Sequence, residues 1–320
     1  MNPTTSENQT PDPRLAVQLA CVRLSTPVLT ASGTCGYGEE YAGIIDYAHL
    51  GGFITKSITL EPRLGNQPER VVEVHGGILN AIGLENVGLE QFIADKLPFA
   101  RSMPTAVFAN VAGHSIEDYV TVASALDAHD GLAGIELNVS CPNVADGLTF
   151  GTNPRLLRHL VERVRAVVSR GCLIVKLSPN VTDIADTARA AIDGGADALS
   201  LVNTYVGMSI DIESRRPLLA NVTGGLSGPA IRPLALHAVH RVYREVARDA
   251  DIPIIGVGGI ATARDAIEFL LAGATAVAVG TALFIDPTTP ITIAGGIADY
   301  LDRHHLASAA ELTGALLLTE

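Results

Sequence analysis

A closed α/β barrel of eight parallel strands, the (β/α)8 or TIM architecture with loop insertions at its C-terminal face, is predicted by three features of this 320-residue sequence. Short, continuously apolar runs alternate with amphipathic helical stretches, which implies a parallel sheet covered on both faces. Eight such runs can be counted, and eight strand–helix units occupy ~250 residues plus insertions, close to what the chain offers. No linker-like change of composition divides it, so one domain over residues 14–320 is expected, after a disordered polar tail over 1–13. A doubly wound open sheet also fits the alternation, but the closed barrel accommodates eight units better.

The first run, Thr26–Ser32, stops at Gly33, and a helical pattern from about Glu39 ends at Gly51-Gly52. The second, Phe53–Ile58, leads into a long polar insertion over Glu61–Leu97. Further strand-like runs follow at Ala106–Val111, Ile135–Ser140, Leu173–Leu177, Ala198–Val202, Ile254–Val257 and Ala276–Val279. Between them, Ile116–Ala128, Leu156–Val168, Ile184–Ile192, Pro233–Ala247 and Ala263–Leu271 carry helical periodicity. A second insertion spans Asn203–Gly228.

Composition narrows the function. A 48% hydrophobic content with 31 glycines and 4% aromatic residues suits a large aliphatic core and excludes disorder for most of the chain. The net charge of −12, with no local basic patch, argues against nucleic acid as a partner. Cys21, Cys35, Cys141 and Cys172 show no C-x-x-C spacing, against zinc, iron–sulfur ligation and a disulfide framework alike. With no apolar leader and no run of 18 apolar residues, neither export nor membrane insertion is supported, and a cytoplasmic location is expected.

In such a barrel, chemistry is built from strand C-terminal ends and the loops after them. Those positions carry Ser32, Lys56-Ser57, Asn110, Asn138 with Cys141 beyond, Lys176, Asn203-Thr204, Gly258-Gly259 and Gly280-Thr281. Cys141 falls where Pro142 ends a strand, before a loop over 142–152 that can act as a lid. A free cysteine is most often a small buried hydrophobe, so its position alone leaves the two readings even. Lys56 and Lys176 follow strongly apolar strands, and lysines aimed into the mouth could neutralise an anionic ligand. The two adjacent glycine turns after the last strands favour a bound phosphate over mere tight turns. His75, His114 and His129 lack metal spacing, and Asp183 and Asp186 read as solvated charge on helical faces.

Taken together, Thr55-Lys56-Ser57, Leu79–Asn86, Asn138–Asn143, Val175–Asn180, Asn203-Thr204, Gly207–Asp211, Gly224–Gly228 and the two glycine turns resemble the dihydroorotate dehydrogenase family from about Ser25 to about Leu301. Within it they are most similar to the catalytic subunit of the NAD-linked class 1B form. The resemblance implies one FMN per chain and oxidation of (S)-dihydroorotate to orotate in pyrimidine (UMP) biosynthesis. Cys141 would remove the C5 proton while hydride passes from C6 to N5 of FMN. The membrane-bound class has serine at that place and an N-terminal membrane segment. Implied FMN contacts are Ser32, Lys56, Ser57, Asn110, Asn138, Lys176, Val202, Gly228, Gly258, Gly259, Gly280 and Thr281. Implied substrate contacts are Lys56, Asn80, Ala81, Ile82, Gly83, Leu84, Asn138, Asn203 and Thr204, with no metal. Electrons would reach NAD+ through a partner subunit carrying FAD and a [2Fe-2S] cluster, in a dimer of heterodimers. Alternatives are a fumarate-dependent class 1A enzyme, a related dihydropyrimidine dehydrogenase, and a non-redox barrel that binds a phosphorylated ligand.

Overall fold

The structure is a computed structural model that describes residues 11–140 and 150–318; Cys141 and most of the expected lid lie outside them. Eight parallel strands close into a barrel: β1 (Val28–Thr30), β2 (Gly52–Ile54), β3 (Ala106–Val111), β4 (Gly134–Asn138), β5 (Cys172–Lys176), β6 (Ala198–Leu201), β7 (Ile254–Val257) and β8 (Ala276–Val279). They pair in chain order, and β8 returns to β1 with Val277 opposite Val28. Each falls on an expected apolar run: β3, β7 and β8 match its bounds, β1 and β6 are shorter, and β2, β4 and β5 begin one residue earlier and end sooner; the strands are buried over most of their length because helices cover the outside.

Helix starts follow local capping chemistry. Ser115 and Asp118 form a capping box at Ile116–Asp127, and Thr262 and Asp265 do the same at Ala263–Ala272. Asn153 caps Pro154–Arg165. Asp183, expected on a solvated face, instead accepts from the Ala185 N–H as N-cap of Ile184–Asp193 and pairs with Arg241 at 2.7 Å. The helical pattern from Glu39 is also corrected. Only two 3-10 turns form there, Glu39–Tyr41 and Tyr47–His49, because Gly38 and Gly43 take left-handed backbone (φ 101° and 83°) that interrupts any helix. At the N-terminus, Asp12 caps a 3-10 turn Pro13–Leu15, and Arg14 pairs with Asp12 and Asp302.

A hairpin of Val17–Leu19 and Val22–Leu24 precedes β1 and covers the barrel's N-terminal end, burying Leu15, Val17, Leu19 and Leu24. At the opposite end the two insertions join. Val71–Val74 and Gly77–Asn80 form a hairpin after β2, Tyr205–Met208 and Thr223–Ser227 form one after β6, and Gly77–Asn80 pairs with Thr223–Ser227. The resulting four-stranded antiparallel sheet stands beside the barrel mouth. Among the described residues, no helix is long and apolar enough to cross a membrane.

Candidate active site

Strand register sets the site. Asn110 on β3 lies opposite Glu136 on β4, Asn138 opposite Lys176 on β5, and Lys176 opposite Ser200 on β6. Partners in register point to the same side of a sheet, so these polar side chains share the barrel interior near its C-terminal end. Asn110, Glu136 and Ser200 are fully buried and Lys176 nearly so. Buried charge requires partners. The Lys176 ammonium donates to Ser32 Oγ at 3.0 Å and lies 3.9 Å from Glu136 Oε1. Glu136 Oε1 in turn accepts from Asn110 Nδ2 at 2.6 Å.

From Asn110 the contacts continue outward. Ser57 Oγ donates to Asn110 Oδ1 at 2.5 Å, and Asn138 Nδ2 approaches Ser57 Oγ at 3.5 Å. Asn203 Nδ2 donates to Asn138 Oδ1 at 3.1 Å and to Ser140 Oγ at 2.9 Å. Backbone N–H groups support the far end: Ser140 donates to Asn138 Oδ1, and Thr204 to Asn203 Oδ1. Ser32, Ser57, Asn110, Asn138, Lys176 and Asn203 therefore form one constellation. It ends at Ser140, the residue before Cys141; Cys141 itself lies outside the described residues. Lys56 is half-buried beside it at the end of β2, its N–H bonded to the Gly36 carbonyl at 2.8 Å.

The substrate-loop candidates sit on the joined insertions. Asn80 Nδ2 donates to the Gly225 carbonyl at 3.2 Å, and a Cβ at Gly225 would fall 2.1 Å from Thr204 Oγ1, so Asn80, Gly225 and Thr204 meet. Asn66 holds the segment after Asn80, donating from Nδ2 to the Ala81 carbonyl and from its backbone to the Ile82 carbonyl. The nearly buried Asn86 braces it from behind through Thr59, the Leu84 carbonyl and the Gly88 N–H. Gly83 and Leu84 take positive φ, 77° and 56°, which bends this loop.

The glycine turns form a second cluster. Gly228 (φ 101°) and Gly259 (φ 72°) approach so closely that a Cβ on Gly259 would lie 2.8 Å from the Gly228 carbonyl oxygen. Thr281 Oγ1 donates to Ser227 Oγ at 2.9 Å, which brings the start of the turn after β8 to the same place as Gly228 and Gly259. Gly280 faces Ala31, the neighbour of Ser32, and Val202 is anchored by its N–H to the Val257 carbonyl at 2.8 Å. Backbone packed this tightly, free of side chains at the C-terminal ends of β7 and β8, suits a phosphate, and Lys176 supplies positive charge across the mouth. The residues present thus fit a flavin mononucleotide.

Sequence reasoning passed over Glu136, Asn66 and Asn86. A lone acid inside the apolar run Gly134–Leu137 was the available signal for the first. His114, which carries no metal spacing, contacts the Arg63 guanidinium, and its backbone N–H and that of Ser115 are held by Asp118.

Known proteins resemble this chain over nearly its whole length. The chain is 51% identical over 306 residues to a protein of Geotalea uraniireducens named dihydroorotate dehydrogenase B (NAD(+)), catalytic subunit, covering 95% of this chain and 99% of that one. It is 52% identical over 305 residues to the protein of the same name from Geotalea daltonii, covering 95% and 98%. A crystal structure of the Eimeria tenella enzyme DHODH with ferulenol superposes with a TM-score of 0.83 over 97% of this chain and 90% of that one; at 22% identity it supports the fold. The sequence profile described as dihydroorotate dehydrogenase matches residues 14–301, and the chain belongs to the dihydroorotate dehydrogenase family.

Proposed function

We propose that this chain oxidises dihydroorotate to orotate in pyrimidine biosynthesis, with FMN and substrate held at the barrel mouth and Cys141 as the general base. The amide constellation there carries the reading. Orotate is an anion with ring N–H and C=O edges, and Asn80, Asn138 and Asn203 offer donors and acceptors on one small surface. Thr204 and the 80–84 loop complete the substrate side, and Lys56 stands at the junction of both ligands.

FMN, when bound, supplies the acceptor for the hydride leaving C6. Ser32, Ser57, Asn110, Val202, Gly258 and Gly280 would line its ring and ribityl chain, with Gly228, Gly259 and Thr281 at the phosphate. Lys176 would be the side chain facing the part of the flavin where electron density rises on reduction. Cys141 takes the C5 proton, a task for a thiolate, since a free thiol near pKa ~8.5 needs surrounding donors to ionise at neutral pH. Held by the asparagines, the substrate ring would offer C5 to Cys141 and C6 to the flavin in one fixed orientation, which is what positioning contributes to such a step.

The names of the relatives support a partnered enzyme. Electrons leave for NAD+ through a second subunit bearing FAD and a [2Fe-2S] cluster, in a dimer of heterodimers in the cytoplasm. The excursion after β6 offers a surface for assembly: Val206, Met208, Ile210 and Ile212 alternate outward and remain exposed. Acceptor specificity tests this. The isolated chain should be reduced by dihydroorotate yet fail to reduce NAD+ until the second subunit is added. Rapid turnover of the isolated chain with fumarate would make it a class 1A enzyme instead.

A further inference from the structure

Glu136 is fully buried, and among the described residues its Oε2 has no hydrogen-bond partner while its Oε1 takes the Asn110 amide. A carboxylate can only accept hydrogen bonds; an asparagine amide can turn either way. Asn110 must therefore present Nδ2 to Glu136, which leaves Oδ1 facing Ser57 and obliges the Ser57 hydroxyl to donate at 2.5 Å. The Ser57 oxygen is then free to accept, and Asn138 approaches it with Nδ2 at 3.5 Å, which leaves Asn138 Oδ1 for Asn203. The far end is polarised the same way by the Ser140 and Thr204 N–H groups. At the near end, among the described residues, Glu136 takes the Asn110 amide.

We propose that Glu136 is a positioning residue for this reaction: its carboxylate fixes which way Asn110 turns and so the direction in which Ser57 donates, which leaves the Ser57 oxygen to hold the Asn138 amide in place for the substrate. The inference rests on the reading of this mouth as the dihydroorotate site. If Asn110 turned over, its Oδ1 would face Glu136 Oε1 with no proton between them, and the Ser57 hydroxyl would meet Nδ2 and lose its acceptor. A glutamine at 136 keeps shape and volume but presents either a donor or an acceptor, so it removes the directional constraint without opening a cavity.

The test is orotate affinity, read from the spectral change of bound FMN, in wild type, Glu136→Gln, Ser57→Ala and the double variant. With FMN added to full occupancy, both single variants should bind orotate about tenfold more weakly, and the double variant should be no weaker than either, because both break the same chain. Orotate affinity unchanged in Glu136→Gln overturns the proposal. Additive losses, about a hundredfold in the double variant, also overturn it, since Glu136 would then act by another route such as the Lys176 charge. Should Glu136→Gln not fold, Ser57→Ala with wild-type affinity is sufficient to refute it. A wild-type chain that takes up no FMN, or shows no response to orotate, fails differently: it removes the site reading and this inference with it.

Discussion

The two ends of the barrel are built from the same strands and do opposite things with burial. At the N-terminal end the interior is closed by hydrocarbon: Val17, Leu19 and Leu24 of the first hairpin and Leu15 before it are buried, and even Cys172, at the start of β5, is a buried thiol whose ionisation burial suppresses. At the C-terminal end equally complete burial is spent on Asn110, Glu136, Lys176 and Ser200. Apolar burial stabilises wherever it occurs, whereas each buried polar group must be matched by a partner. The lower end can thus be read as stability, and the upper end as a polar arrangement only partly matched by partners, since among the described residues Glu136 Oε2 and Ser200 Oγ have none.

Substitutions at the two ends should separate those roles. The largest effect is expected at the mouth: Cys141→Ser should keep bound FMN and melt like wild type, yet slow flavin reduction by dihydroorotate by ~10²–10⁴, the usual contribution of a general base. Stopped-flow reduction at saturating substrate checks this, and wild-type rates would take Cys141 out of the mechanism. At the base, Leu24→Ala should show the reverse pattern. It should cost ~2–5 kcal/mol in denaturant unfolding and leave the reduction rate of the folded enzyme unchanged. A smaller loss, ~0.5–2 kcal/mol, is expected for Asp183→Ala, which removes a helix cap and the Arg241 partner; chemical denaturation should show it without any change in orotate affinity.

How legible each end was follows from what kind of information it needs. All eight strands could be read from the sequence, because a strand buried on both faces is a continuous apolar run and its periodicity is local. The N-terminal hairpin escaped notice since Gln18 and Arg23 interrupt it with polar residues on its outer face. The insertions were visible as long loops, but their pairing, Asn80 with Gly225, joins residues 145 apart and has no local signature. At the site, polar residues at strand ends announced themselves one by one. What the sequence could not supply was their connectivity, and with it the place of Glu136, whose meaning depends on Asn110 and Lys176 arriving from neighbouring strands.

A subtler consequence of burial appears at high pH. Burial pushes the Cys35 thiol up to about 12, with a smaller opposing contribution from Thr34. The unfolded thiol ionises near ~8.5, so unfolding releases a proton at alkaline pH, and this contribution to stability is intact below ~8.5 and declines as pH rises toward about 12. In the native protein at pH 8, a maleimide should modify the exposed Cys21 quickly and Cys35 and Cys172 only on unfolding. Rapid native labelling of Cys35 would contradict its placement in the core.

The central claim, that the polar end of this barrel is a dihydroorotate-oxidising flavin site complete within one chain, is tested most directly by the visible spectrum of the purified chain before and after anaerobic addition of dihydroorotate. The account predicts a flavin spectrum that bleaches on addition with no second subunit present. Bound flavin that dihydroorotate leaves oxidised would contradict the assignment of substrate, and a chain that remains colourless even after incubation with FMN would contradict the site itself.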